Sequence, residues 1–197
     1  MALNLTLIYG SVRSERQGIK AARYLQRAVA DRGHQSTLID VADHPLPLLD
    51  RMYKEYAPGT APRVMERLAE IIRASDGFLI VSGEYNHGIP PALKNLLDHF
   101  LEEWFYRPSA IACYSAGSFG GVRAAMQLRM TLAELGMASI PSLLPIPRVQ
   151  DAFAEDGTPT DDRMNDWAKP FLDEFEWHAR ALKDARARGL PGEVERE

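Results

Sequence analysis

The residues best suited to chemistry lie in a polar loop that follows a short apolar run. Residues 78–81 have the composition of a buried strand, and residues 82–88 include a glutamate, a tyrosine, an asparagine and a histidine. A helical pattern that begins with proline then follows. Because α/β proteins bind ligands where a strand passes through a loop into a helix, we expect a binding site here. The aromatic and hydrogen-bonding side chains favour a flat ligand with polar edges.

A second strand–loop–helix pattern stands at the N-terminus. Residues 3–9 are predicted as a strand, and the loop at 10–18 carries two serines and two arginines ahead of a helical pattern. Arg13 and Arg16 oppose the partial positive charge of a helix N-terminus, which favours anions. Helix-end amides, the hydroxyls of Ser11 and Ser14 and the two guanidinium groups therefore predict a phosphate site. The alternative is a solvated basic face in which a serine only caps the helix.

A third pattern of the same kind follows in the middle of the chain. Residues 110–115 are predicted as a buried strand, and the loop after them contains Gly117, Gly120 and Gly121. Glycines at such a turn let the backbone approach a ligand closely, although tight-turn geometry explains them equally well. The three loops would lie at the same edge of a parallel sheet, so together they favour one ligand site.

The motifs in these loops resemble those of the NADPH-dependent FMN reductase family, and the resemblance covers residues 3–149. That family has a flavodoxin-like fold and includes quinone, azo-dye and chromate reductases. The resemblance rests on three motifs, namely Gly10-Ser11-x-Arg13, Glu84-Tyr85-Asn86-His87-Gly88-x-Pro90-x-x-Leu93-Lys94-Asn95-x-x-Asp98, and Ser115-x-Gly117-x-x-Gly120-Gly121.

The resemblance implies a role in FMN binding for each loop. The residues that would hold the phosphate are Ser11, Arg13, Arg16 and Gln17. Those that would line the isoalloxazine ring, with backbone amides on its polar edge, are Glu84, Tyr85, Asn86, His87 and Gly88. Those that would close the far side of the ring are Ser115, Gly117 and Ser118.

Two positions depart from the family pattern. Many relatives have proline where this chain has Gly83, which implies a less rigid entry to the second loop. Many have serine or threonine followed by asparagine where this chain has Arg16-Gln17-Gly18, which implies a phosphate partner of a different type.

The resemblance implies an FMN-dependent NAD(P)H oxidoreductase. NADPH, or NADH, would give a hydride to FMN, and two electrons would pass to a quinone, free flavin, azo dye or metal oxyanion in a ping-pong cycle. The flavin carries that chemistry, so we expect no catalytic dyad. The alternatives are a flavodoxin-like electron carrier without pyridine-nucleotide activity and a flavin-free interaction module. A hydrolase is disfavoured, because residues 116–120 imitate a nucleophile elbow with alanine in its first position.

The order of apolar patterns predicts the fold class. Strands are expected at 3–9, 36–41, 77–82, 110–115 and 139–146, and helices at 15–32, 61–75, 90–104, 120–135 and 161–186. This alternation predicts an α/β fold, a parallel sheet with helices on both faces. The flavodoxin-like strand order is 2-1-3-4-5, with FMN at the switch point.

One domain of 197 residues is expected, in which 150–188 form a C-terminal turn and helix and 189–197 a frayed tail. Pro170 is expected to kink or divide that helix. The long connection at 42–60 is either a surface loop or a segment that reaches a neighbour's flavin. The family implies a homodimer or homotetramer with the flavin near the subunit interface.

Composition narrows the class of protein further. A formal net charge of −4 argues against nonspecific nucleic-acid binding. No apolar run is long enough for a membrane span, and the N-terminus has no signal-peptide pattern. Cys113 is the only cysteine, so no internal disulfide can form, and the five histidines lack metal-ligand spacing. We therefore expect a cytoplasmic protein that acts on small molecules and contains no metal.

Overall fold

Five apolar segments pair in parallel into one sheet in the computed structural model, which describes residues 1–191. They are β1 (Asn4–Tyr9), β2 (Gln35–Asp40), β3 (Gly77–Gly83), β4 (Pro108–Tyr114) and β5 (Ala138–Ile146). The order β2-β1-β3-β4-β5 confirms the predicted flavodoxin-like topology. The chain reverses its direction of travel across the sheet between β1 and β3, so the loops after these strands border the crevice where such sheets bind ligands.

Helices cover both faces of the sheet because successive strand residues point to opposite sides. Leu7 of β1 belongs to a buried cluster beneath two of the helices, and the next residue, Ile8, belongs to a cluster beneath three others. The first cluster includes α1 (Gly18–Asp31) and α6 (Arg163–Arg186), and the second includes α2 (Arg63–Ala74), α3 (Pro91–Asp98) and α4 (Val122–Glu134). A short helix, α5 (Val149–Ala152), follows β5.

Helix α3 ends at Asp98 and does not continue to residue 104 as predicted. A short 3-10 turn, Glu102–Trp104, comes after it. Trp104 is fully buried, and its indole N–H donates to the carbonyl oxygens of Leu97 and Phe100, each at 3.2 Å. The indole therefore adds a side-chain donor to the Leu97 carbonyl, which also accepts backbone amides, and to the Phe100 carbonyl just beyond the helix, so that the buried tryptophan packs against the helix end.

The C-terminal part of the chain forms one long helix. Helix α6 runs unbroken from Arg163 to Arg186 and includes Pro170, where a kink or division was predicted. Of the predicted tail, residues 192–197 lie outside the described residues. Within residues 1–191, no helix combines the length and apolarity that a membrane span requires.

The long connection between β2 and α2 folds back onto α3. The side-chain amide of Asn95 donates to the Pro47 carbonyl at 2.7 Å, and its oxygen accepts from the Leu49 amide at 3.0 Å. Leu48, between these two anchors, is 86% exposed. A 3-10 turn at Tyr53–Glu55 follows. Asn95 thus holds an apolar, solvent-facing segment close to the carboxyl edge of the sheet.

Candidate functional site

Two of the three predicted loops are in contact. The first loop (residues 10–17), the second loop (residues 84–90) and the third loop (residues 115–121) follow β1, β3 and β4 at the carboxyl edge of the sheet. The hydroxyl oxygens of Ser11 and Tyr85 are 2.8 Å apart, so one donates a hydrogen bond to the other. The fold therefore joins the loop predicted for a phosphate to the loop predicted for a flat ring.

The first loop presents free hydrogen-bond donors at the start of α1. Gln17 occupies the N-cap position without a side-chain hydrogen bond, and the first turn contains no acidic residue. Arg13 is exposed and forms no ion pair within the described part of the chain. An uncapped helix N-terminus next to an unpaired guanidinium group has the character of an anion site.

Arg16 differs from Arg13 because its guanidinium group is already engaged. Its Nη1 donates to Asp40 Oδ1 at 2.5 Å and to the Ser11 carbonyl at 2.9 Å. Burial acts to lower the pKa of Arg16, but the hydrogen bond and the charge of Asp40 outweigh that effect and raise it. Arg16 thus ties the first loop to the end of β2. Sequence reasoning missed Asp40, and its position as the last residue of a strand at this edge was the available signal.

The second loop contains a tight backbone turn. The amides of Tyr85 and Gly88 donate to each other's carbonyl groups, at 3.0 and 2.9 Å. Asn86 and His87 between them have φ angles of 48° and 67°, the pattern of a type I′ turn. Both side chains are exposed, and within residues 1–191 neither backbone amide donates to an acceptor. The turn therefore directs two free N–H groups away from its own hydrogen bonds.

Glu84 connects the second loop to helix α4. Its Oε2 accepts hydrogen bonds from the backbone amides of Arg123 and Ala124, at 3.0 and 3.2 Å. Its Oε1 lies 3.5 Å from Nη1 of Arg123, and the side chain is only 8% exposed. The carboxylate caps the N-terminus of α4, whose own N-cap residue, Gly121, has no side chain to do so. Sequence reasoning missed Arg123 because it lies far along the chain from Glu84.

The third loop is braced against the end of β5. The hydroxyl of Ser115 donates to the Gly117 carbonyl at 3.0 Å, and the amides of Arg148 and Val149 donate to the carbonyls of Gly117 and Ser115. A methyl group built on Gly117 would meet no atom within 4 Å, so the backbone there borders open space. Ser118 is exposed. The loop therefore offers an accessible backbone surface beside the other two loops.

Two stacked tyrosines lie beneath the loops and were not among the predicted site residues. The rings of Tyr9 and Tyr114 have centroids 6.3 Å apart, and their hydroxyl oxygens are 3.4 Å apart. Burial raises the pKa of both phenols above the ordinary value. Both side chains are therefore neutral at physiological pH and form a fixed floor. The signal in the sequence was that the apolar strands β1 and β4 each end in a tyrosine.

A cavity of about 350 Å³ adjoins the first loop. It extends from Val12 to the start of the connection between β2 and α2, and its other wall is α3. Its lining comprises Val12, Val41, Ala42, His44, Pro45, Leu46, Ala92, Asn95 and Leu96. The solvent-facing segment held by Asn95 therefore borders the same edge of the sheet as the three loops.

Comparison with known proteins agrees with this arrangement. An NAD(P)H-dependent FMN reductase of Pseudomonas aeruginosa is 33% identical over 186 residues, which cover 89% of this chain and 95% of the relative. A quinone reductase of Pseudomonas putida is 29% identical over 177 residues, covering 87% of this chain and 90% of the relative. Both relatives are matched along nearly their whole length.

Solved structures share the fold. The flavoenzyme NAD(P)H:(acceptor) oxidoreductase FerB from Paracoccus denitrificans superimposes with a TM-score of 0.71 at 24% identity, over 90% of this chain and 99% of that chain. Oxidised flavodoxin 1 from Bacillus cereus has a TM-score of 0.54 at 18% identity, over 89% of this chain and 98% of that chain. These likenesses show the flavodoxin-like fold.

The match to a family profile extends over residues 3–151, and these residues contain all three loops and all five strands. The profile is that of the NADPH-dependent FMN reductases. With this match and the two relatives, the expected resemblance is confirmed: the chain belongs to the NADPH-dependent FMN reductase family and is an oxidoreductase.

Proposed function

We propose that this chain is an FMN-dependent NAD(P)H oxidoreductase that reduces a small acceptor, such as a quinone, in a ping-pong cycle. FMN and NAD(P)H are the cofactors that membership in the family implies. The contact that supports the proposal best is the 2.8 Å hydrogen bond between Ser11 and Tyr85. It joins the loop at the uncapped end of α1 to the loop with free amides, and a ligand with a phosphate and a flat ring would need both.

The donors of the first loop fit a phosphate group. The uncapped end of α1 supplies amides, and the exposed Ser14 and Arg13 supply hydroxyl and guanidinium groups. Ser11 is only 2% exposed and its hydroxyl is paired with Tyr85, so it would hold the phosphate loop in place from beneath. Among the four residues proposed for the phosphate, Arg13 has the freest charge. Arg16 acts chiefly by holding the loop to Asp40, and Gln17 contributes from the N-cap position. Charge-assisted hydrogen bonds of this kind are the strong ones in phosphate recognition.

The second and third loops fit a flat ring with a polar edge. The free amides of Asn86 and His87 would donate to the ring's polar edge, and Tyr85 would lie beside it. Glu84 positions this loop by capping α4 and does not reach outward itself. On the other side, the open space at Gly117 would admit the ring close to the backbone, with Ser115 and Ser118 beside it.

Bound FMN would take a hydride from the nicotinamide and give two electrons to the acceptor. This chain binds and orients the reactants and supplies no acid–base pair. Asn86, His87 and Ser118 are all exposed, so the site opens to solvent on one side. We propose that NADPH and the acceptor use this open side in turn, so that NADP⁺ leaves before the acceptor enters.

We also propose that the working unit is a homodimer or homotetramer with the flavin near the subunit interface. The segment at 42–60 supports this, because Leu48 is 86% exposed and the same connection lines the cavity beside the first loop. Leu48 and the neighbouring Leu49, which is 42% exposed, form a small apolar surface beside the site that a neighbouring subunit would cover in this arrangement.

Initial-rate kinetics test the proposed cycle. NADPH oxidation is measured with FMN-loaded protein at several fixed concentrations of a benzoquinone. Parallel double-reciprocal lines, with NADP⁺ competing against the quinone, are expected. Lines that intersect would show a ternary complex and contradict the ping-pong order. NADPH oxidation that is no faster with the loaded protein than with the same concentration of free FMN would contradict the reductase activity. Menadione, ferricyanide and an azo dye in place of the benzoquinone then define the acceptor class.

A further inference from the structure

Tyr114 lies against the roots of all three loops. It is the last residue of β4 and leads directly into the third loop. A methyl group built on Gly18, the first residue of α1, would lie 2.1 Å from its ring atom Cζ and 2.5 Å from its hydroxyl oxygen. One built on Gly83, the last residue of β3, would lie 3.0 Å from its ring atom Cε2. The ring therefore fills the space that side chains at two other positions would occupy.

The requirement for glycine at these positions comes from space and not from backbone conformation. Gly18 and Gly83 both lack the positive φ angles that mark seven other glycines in residues 1–191. Tyr114 itself is buried, with an exposed fraction of 8%. Because protein interiors are close-packed, a ring fixed in this way cannot give way to an added Cβ without moving its neighbours. The start of α1 lies directly against the ring because Gly18 has no side chain there.

The contact continues to the basic side of the first loop. The Tyr114 ring stacks on the ring of Tyr9, and the guanidinium group of Arg16 lies 5.3 Å from the Tyr9 centroid. Arg16 in turn holds the Ser11 carbonyl at 2.9 Å. The two phenol oxygens are 3.4 Å apart, which is long for a hydrogen bond. The Tyr114 ring packs against Gly18 and Gly83, and its hydroxyl group also interacts with Ser11, so the two parts of the side chain need separate variants.

We propose that Tyr114 is a positioning residue that sets the distance between the first turn of α1 and the end of β4. This distance would make the site select a phosphorylated flavin over an unphosphorylated one. The inference rests on the proposed function. Hydrogen bonds to a phosphate weaken steeply when donors leave their narrow range of distances. The turn at Asn86–His87 has its own hydrogen bonds and Glu84 as a brace, so contacts to the ring depend less on Tyr114.

Flavin binding to the apo-protein tests this directly. FMN and riboflavin are titrated separately, with quenching of flavin fluorescence as the readout. Y114A is expected to lower FMN affinity about tenfold or more and riboflavin affinity less than about twofold, the difference being the lost phosphate contacts. Y114F keeps the ring and should retain the wild-type ratio of affinities. F171A is the matched control, because Phe171 is a buried aromatic residue of the same cluster but lies on α6.

A reciprocal variant approaches the same contact from the helix. G18A should lower the FMN-to-riboflavin affinity ratio as Y114A does, because the new methyl group must displace the ring. In a Y114A background, G18A should cause little further loss of affinity or of the unfolding midpoint of the apo-protein, since the space is vacant. If Y114A does not fold, Y114L and G18A provide the same comparison.

The outcomes separate this inference from the proposed function. An unchanged FMN-to-riboflavin ratio in Y114A, or in Y114L and G18A, would overturn the role of Tyr114 while leaving FMN binding intact. A fall in both affinities by the same factor would show a merely structural role and would also overturn it. A wild-type protein that binds neither flavin would contradict the proposed function and this inference together.

Discussion

Glu84 is a predicted site residue whose carboxylate also caps a helix. The resemblance implies that it lines the ring, but the carboxylate points to the amides of Arg123 and Ala124. A carboxylate at a helix N-terminus is favourable both as a hydrogen-bond acceptor and as a charge. Glu84 thus links the second loop to the helix that follows the third loop.

The variant E84A should therefore destabilise the protein as well as weaken flavin binding. Loss of the cap should lower the free energy of unfolding by about 1–2 kcal/mol, measured by urea denaturation without flavin. E84Q keeps an acceptor and should lose less. E134Q, at the exposed far end of α4, is the control. Wild-type stability in E84A would show that the carboxylate does not hold α4.

Single residues whose partners are distant in the sequence were the hardest to predict. The motif residues could be assigned because their types and spacing are local in the chain. Tyr114 and Asp40 could not, because their roles depend on partners about 100 and 24 residues away, respectively. Glu103 illustrates the same limit, because it is buried and pairs at 2.7 Å with Arg73, which lies 30 residues earlier in the chain.

At the scale of elements, the two arginines of the first loop have different environments. Arg13 is exposed, whereas Arg16 is held by Asp40 and the Ser11 carbonyl. Both side chains could be predicted as basic groups at a helix N-terminus, but only the structure separates them. The end of β2 supplies the carboxylate that distinguishes one from the other.

The variant R13A should therefore lower mainly the FMN affinity, and R16A should lower mainly the stability of the apo-protein. R13A should weaken FMN binding about tenfold through a lost charge-assisted contact and leave the unfolding midpoint of the apo-protein unchanged. R16A should lower the free energy of unfolding of the apo-protein by about 1–3 kcal/mol, because Asp40 is left buried without its partner. Urea denaturation and FMN titration measure the two effects, with R63A on α2 as the control. Equal effects of R13A and R16A on both measurements would contradict this distinction.

The limits of individual elements were less predictable than their existence. All five strands were predicted within two residues of their observed ends, because each is a compact apolar run. Helix α3 was predicted six residues too long, because the apolar pattern continues into the 3-10 turn at Glu102–Trp104. The buried indole of Trp104 packs against the end of the regular helix, and periodicity alone does not predict such a contact.

At the scale of the whole molecule, the alternation of strands and helices was enough to predict the sheet. Crossovers between parallel strands need helices, so the pattern leaves few possible topologies. The family resemblance then selected the order that the structure confirms. The relation between subunits stays a proposal, because apolar exposure on one chain does not define the partner's orientation.

The oligomeric proposal predicts a change of mass on mutation. Wild-type protein should sediment as a dimer or tetramer, and L48D should shift it toward monomer, because a buried charge would be introduced into the interface. A30D places the same charge on an exposed small residue of α1 and should leave the mass unchanged. A monomeric wild-type protein, or an L48D variant with unchanged mass, would contradict the role of this segment.

The most direct test of the central claim is an anaerobic titration of FMN-loaded protein with NADPH, followed through the flavin's visible absorption band. We expect one equivalent of NADPH to bleach the band on the timescale of turnover, and one equivalent of benzoquinone to restore it. Bound flavin that stays oxidised in the presence of both NADPH and NADH would contradict a reductase and favour an electron carrier.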